Sequence, residues 1–314
     1  MPQSGRRVLG NGEIAMSRIL VTGVDGFTGR HLTALLAEQG HEVIGLSHSA
    51  ITTPVKGLTA SHICDLTDAT ALNDILAMAR PDQVAHLAAI AFVSHGIVED
   101  IYRTNIVGTR NLLEAVSSVG DVNAILLASS ANIYGNRISG AIDEHVTPDP
   151  INDYAVSKLA MEFVARLYQE RLPIVIARPF NYTGIGQAVN FVIPKIIDHV
   201  RRRAETIELG NLEVARDFSD VRDVVKSYSI LLSQPSAIGQ IFNICSGKAH
   251  SLNELIVMIK DISGHDFNVT VNPAFVRNNE VKMLWGDRTK IESLYGQHPV
   301  YDLRNTLAWM LGKE

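Results

Sequence analysis

The sequence has few cysteines, no excess of basic residues and no long hydrophobic run. Its 314 residues include only Cys64 and Cys245. Neither cysteine has the C-x-x-C partner typical of a zinc site, so we predict no disulfide framework, no metal site and two small buried side chains. The 28 Lys and Arg against 33 Asp and Glu give a net charge of −5, which argues against a broad nucleic-acid-binding surface. Without a run of about 18 apolar residues, no helix is expected to span a membrane.

The remaining composition is that of a folded globular protein. Apolar residues make up 46% of the chain and charged residues 19%. At ~150 residues per domain, the length predicts two domains. Residues 1–15 have no apolar segment of the kind that a signal peptide needs, so we interpret them as an N-terminal extension and expect a cytoplasmic protein.

Short apolar runs alternate with helix-length segments along the first half of the chain. This alternation predicts an α/β fold with a doubly wound parallel sheet covered by helices on both faces. The predicted strands are Arg18–Gly23, His41–Leu46, Ser61–Cys64, Gln83–Leu87, Ala124–Ala128 and Ile174–Ala177. The predicted helices are Phe27–Gln39, Thr67–Ala79, Tyr102–Val119 and Asp153–Glu170.

The regular alternation of strands and helices ends after Pro179, where glycines and prolines separate shorter predicted elements. We therefore predict a sheet domain over residues 16–180 and a smaller C-terminal α/β substrate-binding domain over residues 181–314. Because Gln240–Cys245 again has the pattern of a buried strand, we expect the chain to return to the first domain near residues 219–246.

The turn after the first strand carries three glycines, Gly23, Gly26 and Gly29. At such a strand-to-helix turn, the first glycine permits the tight turn, the second lets the backbone approach a pyrophosphate, and the third lets helix and strand pack closely. The phosphates then lie on the N–H groups of the helix N-terminus. The turn predicts a Rossmann-type sheet that binds a dinucleotide, although its first gap has two residues where the standard fingerprint has one.

The end of the second strand bears on the choice of cofactor. An acidic residue there normally binds the adenosine ribose hydroxyls, but no Asp or Glu lies between Glu42 and Asp65. Ser47, His48 and Ser49 are able to donate to a 2′-phosphate, with Arg30 a weaker candidate. We therefore favour NADP(H), with NAD(H) as the alternative and His48 as an ordinary surface residue if that alternative holds.

Tyr154 and Lys158 form a Y-x-x-x-K pattern at the start of a helix. The i,i+4 spacing places both side chains on one face. An ammonium lowers the pKa of a nearby phenol, so the pair is suited to proton exchange with a substrate oxygen. Ser130 ends a predicted strand 24 residues upstream of Tyr154, at the sheet edge that faces ligands in such folds.

Taken in order, these motifs are similar to those of the extended short-chain dehydrogenase/reductases, a family of nucleotide-sugar epimerases, dehydratases and reductases. The shared motifs also include Asp65-Leu66, His86 to Ala89 and Asn105 in N-I-V-G-T, and the resemblance covers about residues 16–310. It implies that Ser130 and Tyr154 polarise and protonate a sugar oxygen while Lys158 holds the nicotinamide ribose. It also implies a homodimer that pairs through the helices near 102–119 and 153–170. The cofactor-binding set expected on these grounds is Gly23, Gly26, Phe27, Gly29, Ser47, His48, Asp65, Leu66, Ala88, Asn105, Tyr154 and Lys158.

The residues after Ser130 discriminate between members of the family. Its 4,6-dehydratases carry an acidic residue two positions later, which they need for proton removal and for expulsion of a hydroxyl. This chain has Ala131 and Asn132 instead, so dehydration is disfavoured. Ketone reduction and 4-epimerisation remain open, as does a non-catalytic NADP-binding regulator that kept the fold.

The C-terminal half resembles the nucleoside-diphosphate site of GDP-sugar enzymes of the family. Arginine suits a diphosphate, and Glu280 is placed to accept from ribose hydroxyls. Arg178 is equally consistent with a ligand contact and with a structural ion pair. The overall pattern is most similar to the reductases that convert GDP-4-keto-6-deoxy-D-mannose to GDP-D-rhamnose. The substrate-binding set expected from this resemblance is Ser130, Asn132, Asn181, Arg216, Arg277 and Glu280.

Overall fold

The computed structural model describes residues 16–91, 97–135, 140–275, 282–296 and 301–313. Strands and helices are numbered in chain order. The strands are β1 (Arg18–Thr22), β2 (Glu42–Ser47), β3 (Ala60–Ile63), β4 (Gln83–His86), β5 (Ala124–Ala128), β6 (Ile174–Pro179), β7 (Asn181–Thr183), β8 (Thr206–Leu209), β9 (Ala215–Asp220), β10 (Ile241–Ile244), β11 (Ala249–Ser251), β12 (Asn268–Val271) and β13 (Met283–Leu284). The α-helices are α1 (Phe27–Glu38), α2 (Ala69–Ala79), α3 (Val98–Tyr102), α4 (Thr109–Val119), α5 (Asp153–Arg166), α6 (Val192–Arg201), α7 (Val221–Ser233), α8 (Leu252–Ser263), α9 (Thr289–Tyr295) and α10 (Leu303–Leu311).

Seven parallel strands form the main sheet, in the order β10-β6-β5-β4-β1-β2-β3. The order reverses between β1 and β4, which opens a crevice at the carboxyl ends of these two strands. The predicted α/β class and Rossmann-type doubly wound sheet are confirmed. The seven-stranded sheet and the helices packed on it are called the large-sheet region below.

Helices cover both faces of this sheet. Because both faces are covered, most side chains of its strands are buried and apolar. Helices α1 and α7 enclose one hydrophobic core, whereas α2, α4 and α5 enclose the other. All six residues of β6 are buried. Strand β3 differs, with three of its four residues exposed, because it lies at the edge of the sheet.

The helix predicted over Tyr102–Val119 has a different form. The chain instead runs from α3 through a π-helical segment, Arg103–Gly108, into α4. Short π-helical turns recur at functional sites. The segment ends at Gly108, where a Cβ atom would come within 2.8 Å of the Leu66 side chain, so a glycine is required for this close packing.

The smaller region has a separate core. A small sheet of β11, β9 and β13, with β7 also paired to β9, lies beside the pair β12–β8. These strands, together with α6, α8 and α10, make up the small-sheet region, and α6, α8 and α10 enclose its core.

The chain returns to the large sheet through α7 and β10, which pairs with β6. Both cysteines are buried, as expected. Over the described ranges, every helix is too short or too polar to cross a membrane.

Candidate active site

The predicted site residues gather at one edge of the large sheet. Parallel strands present their carboxyl ends on the same side, and the turns after β1, β2, β3, β4 and β5 all carry predicted residues. These residues are Gly23 after β1, Ser47 and His48 at β2, Asp65 after β3, Ala88 after β4 and Ser130 after β5.

The three glycines of the first turn have distinct structural reasons. Gly23 has φ +67°, in the left-handed region that favours glycine. A Cβ atom at Gly29 would overlap the carbonyl oxygen of Gly23 and lie 2.8 Å from the Cα of Val24, so only glycine lets α1 pack on β1. At Gly26 a Cβ atom would meet only the Gly23 carbonyl oxygen, at 3.2 Å, which leaves the outer side of this turn accessible.

The N-terminus of α1 fits the diphosphate of a dinucleotide. Its N-cap residue Gly26 supplies no side-chain hydrogen bond, and the first turn of the helix contains no acidic residue. The N–H groups and positive dipole end of the helix are therefore available to an anion. The predicted residue Phe27 begins this helix and turns its ring towards Tyr182.

The adenosine end of the expected cofactor path contains Ser47, His48, Asp65 and Leu66. Ser47 donates its hydroxyl to the carbonyl of Ser49 at 2.8 Å, so it is engaged within the turn. The imidazole of His48 is 82% exposed and lies 3.8 Å from the Asp65 carboxylate. Hydrogen bonding from Thr67, aided by the charge of His48, lowers the pKa of Asp65. His48 is thus the predicted donor that extends into solvent, while Leu66 is buried.

Ala88 and Asn105 form the floor beside the first turn. The N–H of Ala88 donates to the Thr22 hydroxyl at 3.1 Å, and a Cβ at Gly23 would lie 3.0 Å from its backbone. The Asn105 side chain accepts from the N–H of Ile90 at 2.9 Å and donates to the Ile90 carbonyl at 3.1 Å and the Ser157 hydroxyl at 2.9 Å. Because the partners of its amide belong to the protein, Asn105 fixes the backbone of the loop at Ile90, beside the expected cofactor path.

Ser130 and Tyr154 meet at the end of β5. Ser130 caps a short 3-10 turn, where its hydroxyl accepts from the N–H of Asn132 at 3.2 Å, and its side chain is hydrogen-bonded to the Tyr154 phenol. Burial and the neighbouring Tyr182 raise the pKa of Tyr154, and the bond with Ser130 opposes this rise. Tyr154 therefore carries its proton at neutral pH, as an acid that protonates a substrate oxygen must.

Lys158 lies one helical turn after Tyr154 on α5. Its ammonium group donates to the Ala128 carbonyl at 2.7 Å, and the side chain is buried. Burial lowers the pKa of Lys158 to about 8, against the opposing effect of the Glu162 charge. The structure thus brings the three predicted catalytic residues together around the end of β5.

Tyr182 is a site residue that the sequence patterns did not reveal. Its hydroxyl is hydrogen-bonded to the Thr28 hydroxyl at 2.8 Å, and its ring stacks on Phe27 with centroids 5.9 Å apart. Tyr182 lies on β7 of the small-sheet region, whereas Thr28 lies 154 residues earlier, in the first turn of α1. No local pattern connects positions so distant.

Of the predicted substrate residues, Asn132 adjoins the catalytic residues in the chain and is exposed two positions after Ser130, and Asn181 on β7 pairs with Phe218 on β9. Arg216 lies two residues before Phe218, so Asn181 and Arg216 share one face of the small sheet. Arg216 donates to the carbonyl oxygen of Ala215 at 2.9 Å.

Two further predicted substrate residues, Arg277 and Glu280, lie outside the described residues. Among the residues the structure does describe, no group of three or more His, Cys, Asp and Glu is arranged to hold a metal ion.

Arg178, whose role the sequence left open, is structural. It is 3% exposed and binds the Glu162 carboxylate through Nε at 2.9 Å and Nη2 at 2.7 Å. A third nitrogen donates to the Tyr134 hydroxyl at 2.9 Å. A buried guanidinium held in this way is not available to a ligand.

Known proteins resemble the chain over nearly its whole length. The family model of GDP-mannose 4,6-dehydratase matches residues 20–310. The GDP-6-deoxy-D-mannose reductase of Pseudomonas aeruginosa is 35% identical over 306 residues, which cover 94% of this chain and 96% of that protein. The GDP-6-deoxy-D-talose 4-dehydrogenase of Aggregatibacter actinomycetemcomitans is 34% identical over 283 residues, covering 89% and 91% of the two chains.

A solved structure agrees with these relatives. The structure of RMD from Pseudomonas aeruginosa complexed with NADPH superposes with a TM-score of 0.83 and 31% identity, covering 95% of this chain and 98% of that one. The shared family, the parallel sheet and the relatives together identify the type of enzyme. The chain belongs to the GDP-mannose 4,6-dehydratase family and is an NAD(P)-dependent extended short-chain dehydrogenase/reductase that acts on a nucleotide sugar.

Proposed function

We propose that the enzyme reduces a nucleotide-linked 4-keto-6-deoxyhexose and that it converts GDP-4-keto-6-deoxy-D-mannose to GDP-D-rhamnose. The observation that carries this proposal is the Ser130–Tyr154–Lys158 centre with no acidic residue at the two positions after Ser130. The residue after Ser130 is the buried Ala131, and the next is Asn132, whose amide neither removes nor delivers a proton. Reduction needs one proton donor and one hydride donor, whereas dehydration needs a further acid and base.

Each residue of the centre has one role in this reaction. Reduced nicotinamide, when bound at this edge of the sheet, supplies the hydride that adds to C4 of the sugar. The Tyr154 hydroxyl donates its proton to O4 as the ketone becomes an alcohol. Ser130 donates a hydrogen bond to the same oxygen, and the Lys158 ammonium stabilises the phenolate that remains until solvent returns the proton.

NADPH is the cofactor we favour. No acidic residue ends β2 itself, where the exposed His48 lies as a donor for a 2′-phosphate, and the Asp65 carboxylate that follows β3 lies 3.8 Å from its imidazole. The relative complexed with NADPH supports the same choice.

The sugar nucleotide is expected to bind between the two regions. Arg216 and Asn181 share a face of the small sheet and are the residues proposed for the diphosphate end, with Arg277 and Glu280 proposed to complete the set. Asn132 is proposed to contact the sugar beside Ser130. The names of the two curated relatives, both GDP-sugar enzymes, support guanine as the base.

A homodimer is part of the proposal. Helices α3, α4 and α5 and the π-helical segment pack together and present a set of exposed apolar side chains. A second copy of this face would bury that surface. The exposed residues are Val98, Val107, Val156, Phe163 and Leu167.

The test is a reduction assay with the dehydratase product of GDP-mannose as substrate. The reaction is monitored through the loss of reduced-nicotinamide absorbance. We expect turnover with NADPH and at least tenfold weaker binding of NADH. Conversion of a 4-hydroxy sugar nucleotide without net use of cofactor would instead identify a 4-epimerase. Unchanged biological activity in a Tyr154→Phe variant would indicate a non-catalytic regulator.

A further inference from the structure

A buried network of polar side chains lies directly behind the catalytic centre. Glu162 is 1% exposed and accepts the Ser129 hydroxyl at 2.6 Å in addition to two bonds from Arg178. Arg178 also binds the Tyr134 hydroxyl, which donates to the Asn243 amide oxygen at 2.7 Å. The network therefore connects β5, β6, β10 and α5 in the interior of the large-sheet region.

Two of its members are immediate neighbours of the catalytic residues. Ser129 precedes Ser130, and its N–H also donates to the Ala177 carbonyl at 2.8 Å. Glu162 follows Lys158 by four residues on α5, as Lys158 follows Tyr154, so these three side chains lie along one face of the helix. A carboxylate in the protein interior is costly unless it is paired and fully hydrogen-bonded, as Glu162 is.

We propose that Glu162 is a positioning residue of the catalytic centre. Through Ser129 its carboxylate fixes the end of β5 that carries Ser130. Through space it supplies the negative charge, one helical turn away, that keeps the buried Lys158 in its ammonium form. This inference rests on the proposed reductase chemistry, in which that ammonium is required, and it adds the residue that maintains the charge.

The charged surroundings of Lys158 make Glu162 the decisive neighbour. Glu162 on the same helix acts on the charge of Lys158, Lys158 acts on His86 at the end of β4, and Tyr154 lies one helical turn before Lys158. His86 is buried between the hydroxyls of Thr22 and Thr109, and burial together with Lys158 lowers its pKa to about 3, so it is uncharged. Arg178 on β6 is bound to Glu162. Glu162 is therefore the negative charge that opposes the desolvation of Lys158.

The direction of the expected pH effect follows from this arrangement. Lys158 has a pKa of about 8, so its charge is present at lower pH and is lost as the pH rises through that value. Both kcat and the affinity for NADPH should decline over the same interval in the wild type. Removing the Glu162 charge lowers the pKa of Lys158 further, so both declines should move to lower pH by about one unit.

The experiment measures kcat and the NADPH dissociation constant as functions of pH for wild type, Glu162→Gln, Ser129→Ala and the exposed control Glu170→Gln. We expect the declines in kcat and in NADPH affinity to move to lower pH only in Glu162→Gln. Ser129→Ala keeps the charge and loses a hydrogen bond to the carboxylate, so kcat should fall by about fivefold with the decline at its wild-type pH. A folded Glu162→Gln variant with an unshifted pH profile would overturn the inference.

Glu162→Gln leaves the buried guanidinium of Arg178 without its carboxylate partner and for that reason is at risk of not folding. A second variant covers this case. Glu162→Gln combined with Arg178→Gln removes both charges, and the decline should still move to lower pH, since Glu162 is the charge that acts on Lys158. An unshifted profile in this double variant contradicts the inference equally. The affinity profile decides the matter without turnover, so a wild type that binds NADPH but reduces no sugar nucleotide refutes only the proposed function.

Discussion

The large-sheet region and the small-sheet region build their parts of the site in different ways. In the first, site residues follow the ends of adjacent parallel strands, and the sheet itself fixes their positions. In the second, the proposed ligand residues lie on short strands that pair across long stretches of chain, such as β7 with β9. The residues proposed for catalysis thus lie in the most buried part of the molecule, whereas the residues proposed for substrate recognition lie on shorter and less regular elements.

The largest effect should come from the catalytic centre of the large-sheet region. Tyr154→Phe removes the proton donor but keeps the ring, so kcat should fall by roughly 10²- to 10⁴-fold while the NADPH dissociation constant changes little. Stopped assays over long incubation measure the residual kcat, and a binding titration measures the NADPH dissociation constant. A kcat within a factor of three of wild type would show that the proton comes from elsewhere.

Within the same region, substitutions at two glycines distinguish an effect on folding stability from an effect on cofactor binding. Gly29→Ala places a methyl group against the backbone of Gly23 and Val24, and we expect a loss of roughly 1–3 kcal/mol in unfolding free energy. Gly26→Ala is the matched control, since its methyl group has more room. It should keep most of the stability but weaken NADPH binding by directing the methyl group towards the diphosphate. Denaturant unfolding and NADPH titration distinguish the two, and equal destabilisation would contradict the assigned roles.

The small-sheet region should respond in KM and not in kcat. Arg216→Gln removes a charged donor to the substrate diphosphate, so KM for the sugar nucleotide should rise about tenfold or more with NADPH affinity unchanged. Arg202→Gln, which alters an exposed ion pair with Asp198, serves as the control. An unchanged KM in Arg216→Gln would remove Arg216 from the site.

The smallest expected effect is at the contact between the regions. Tyr182→Phe loses the hydrogen bond to Thr28 but retains the stack on Phe27, so NADPH affinity and kcat/KM should each fall by about fivefold. Thr28→Val removes the same bond from the other side. If the double variant is no worse than either single variant, the bond alone accounts for the effect, whereas additive losses would show two separate roles.

Local patterns predicted the parts of the site that local geometry determines. The glycine turn, the Y-x-x-x-K helix face and the end of β5 each depend on residues close in sequence, and all three lie where expected. The π-helical segment was missed because no local sequence pattern separates it from the α-helices on either side, α3 and α4.

Partners far apart in the chain account for the other differences. Arg178 could not be assigned because its buried partner, Glu162, lies 16 residues away on another element. Tyr182 was missed for the same reason, since Thr28 is 154 residues distant. The role of such a residue follows from its partner, and the partner becomes evident only after the chain has folded.

Net reduction of a keto sugar consumes one NADPH for each GDP-sugar product, so the ratio of the two distinguishes a reductase from an epimerase. With GDP-4-keto-6-deoxy-D-mannose supplied in limiting amount, we predict equimolar loss of NADPH and appearance of GDP-D-rhamnose, with the product identified by NMR. A sugar product formed without loss of reduced cofactor would show that the enzyme is not a reductase.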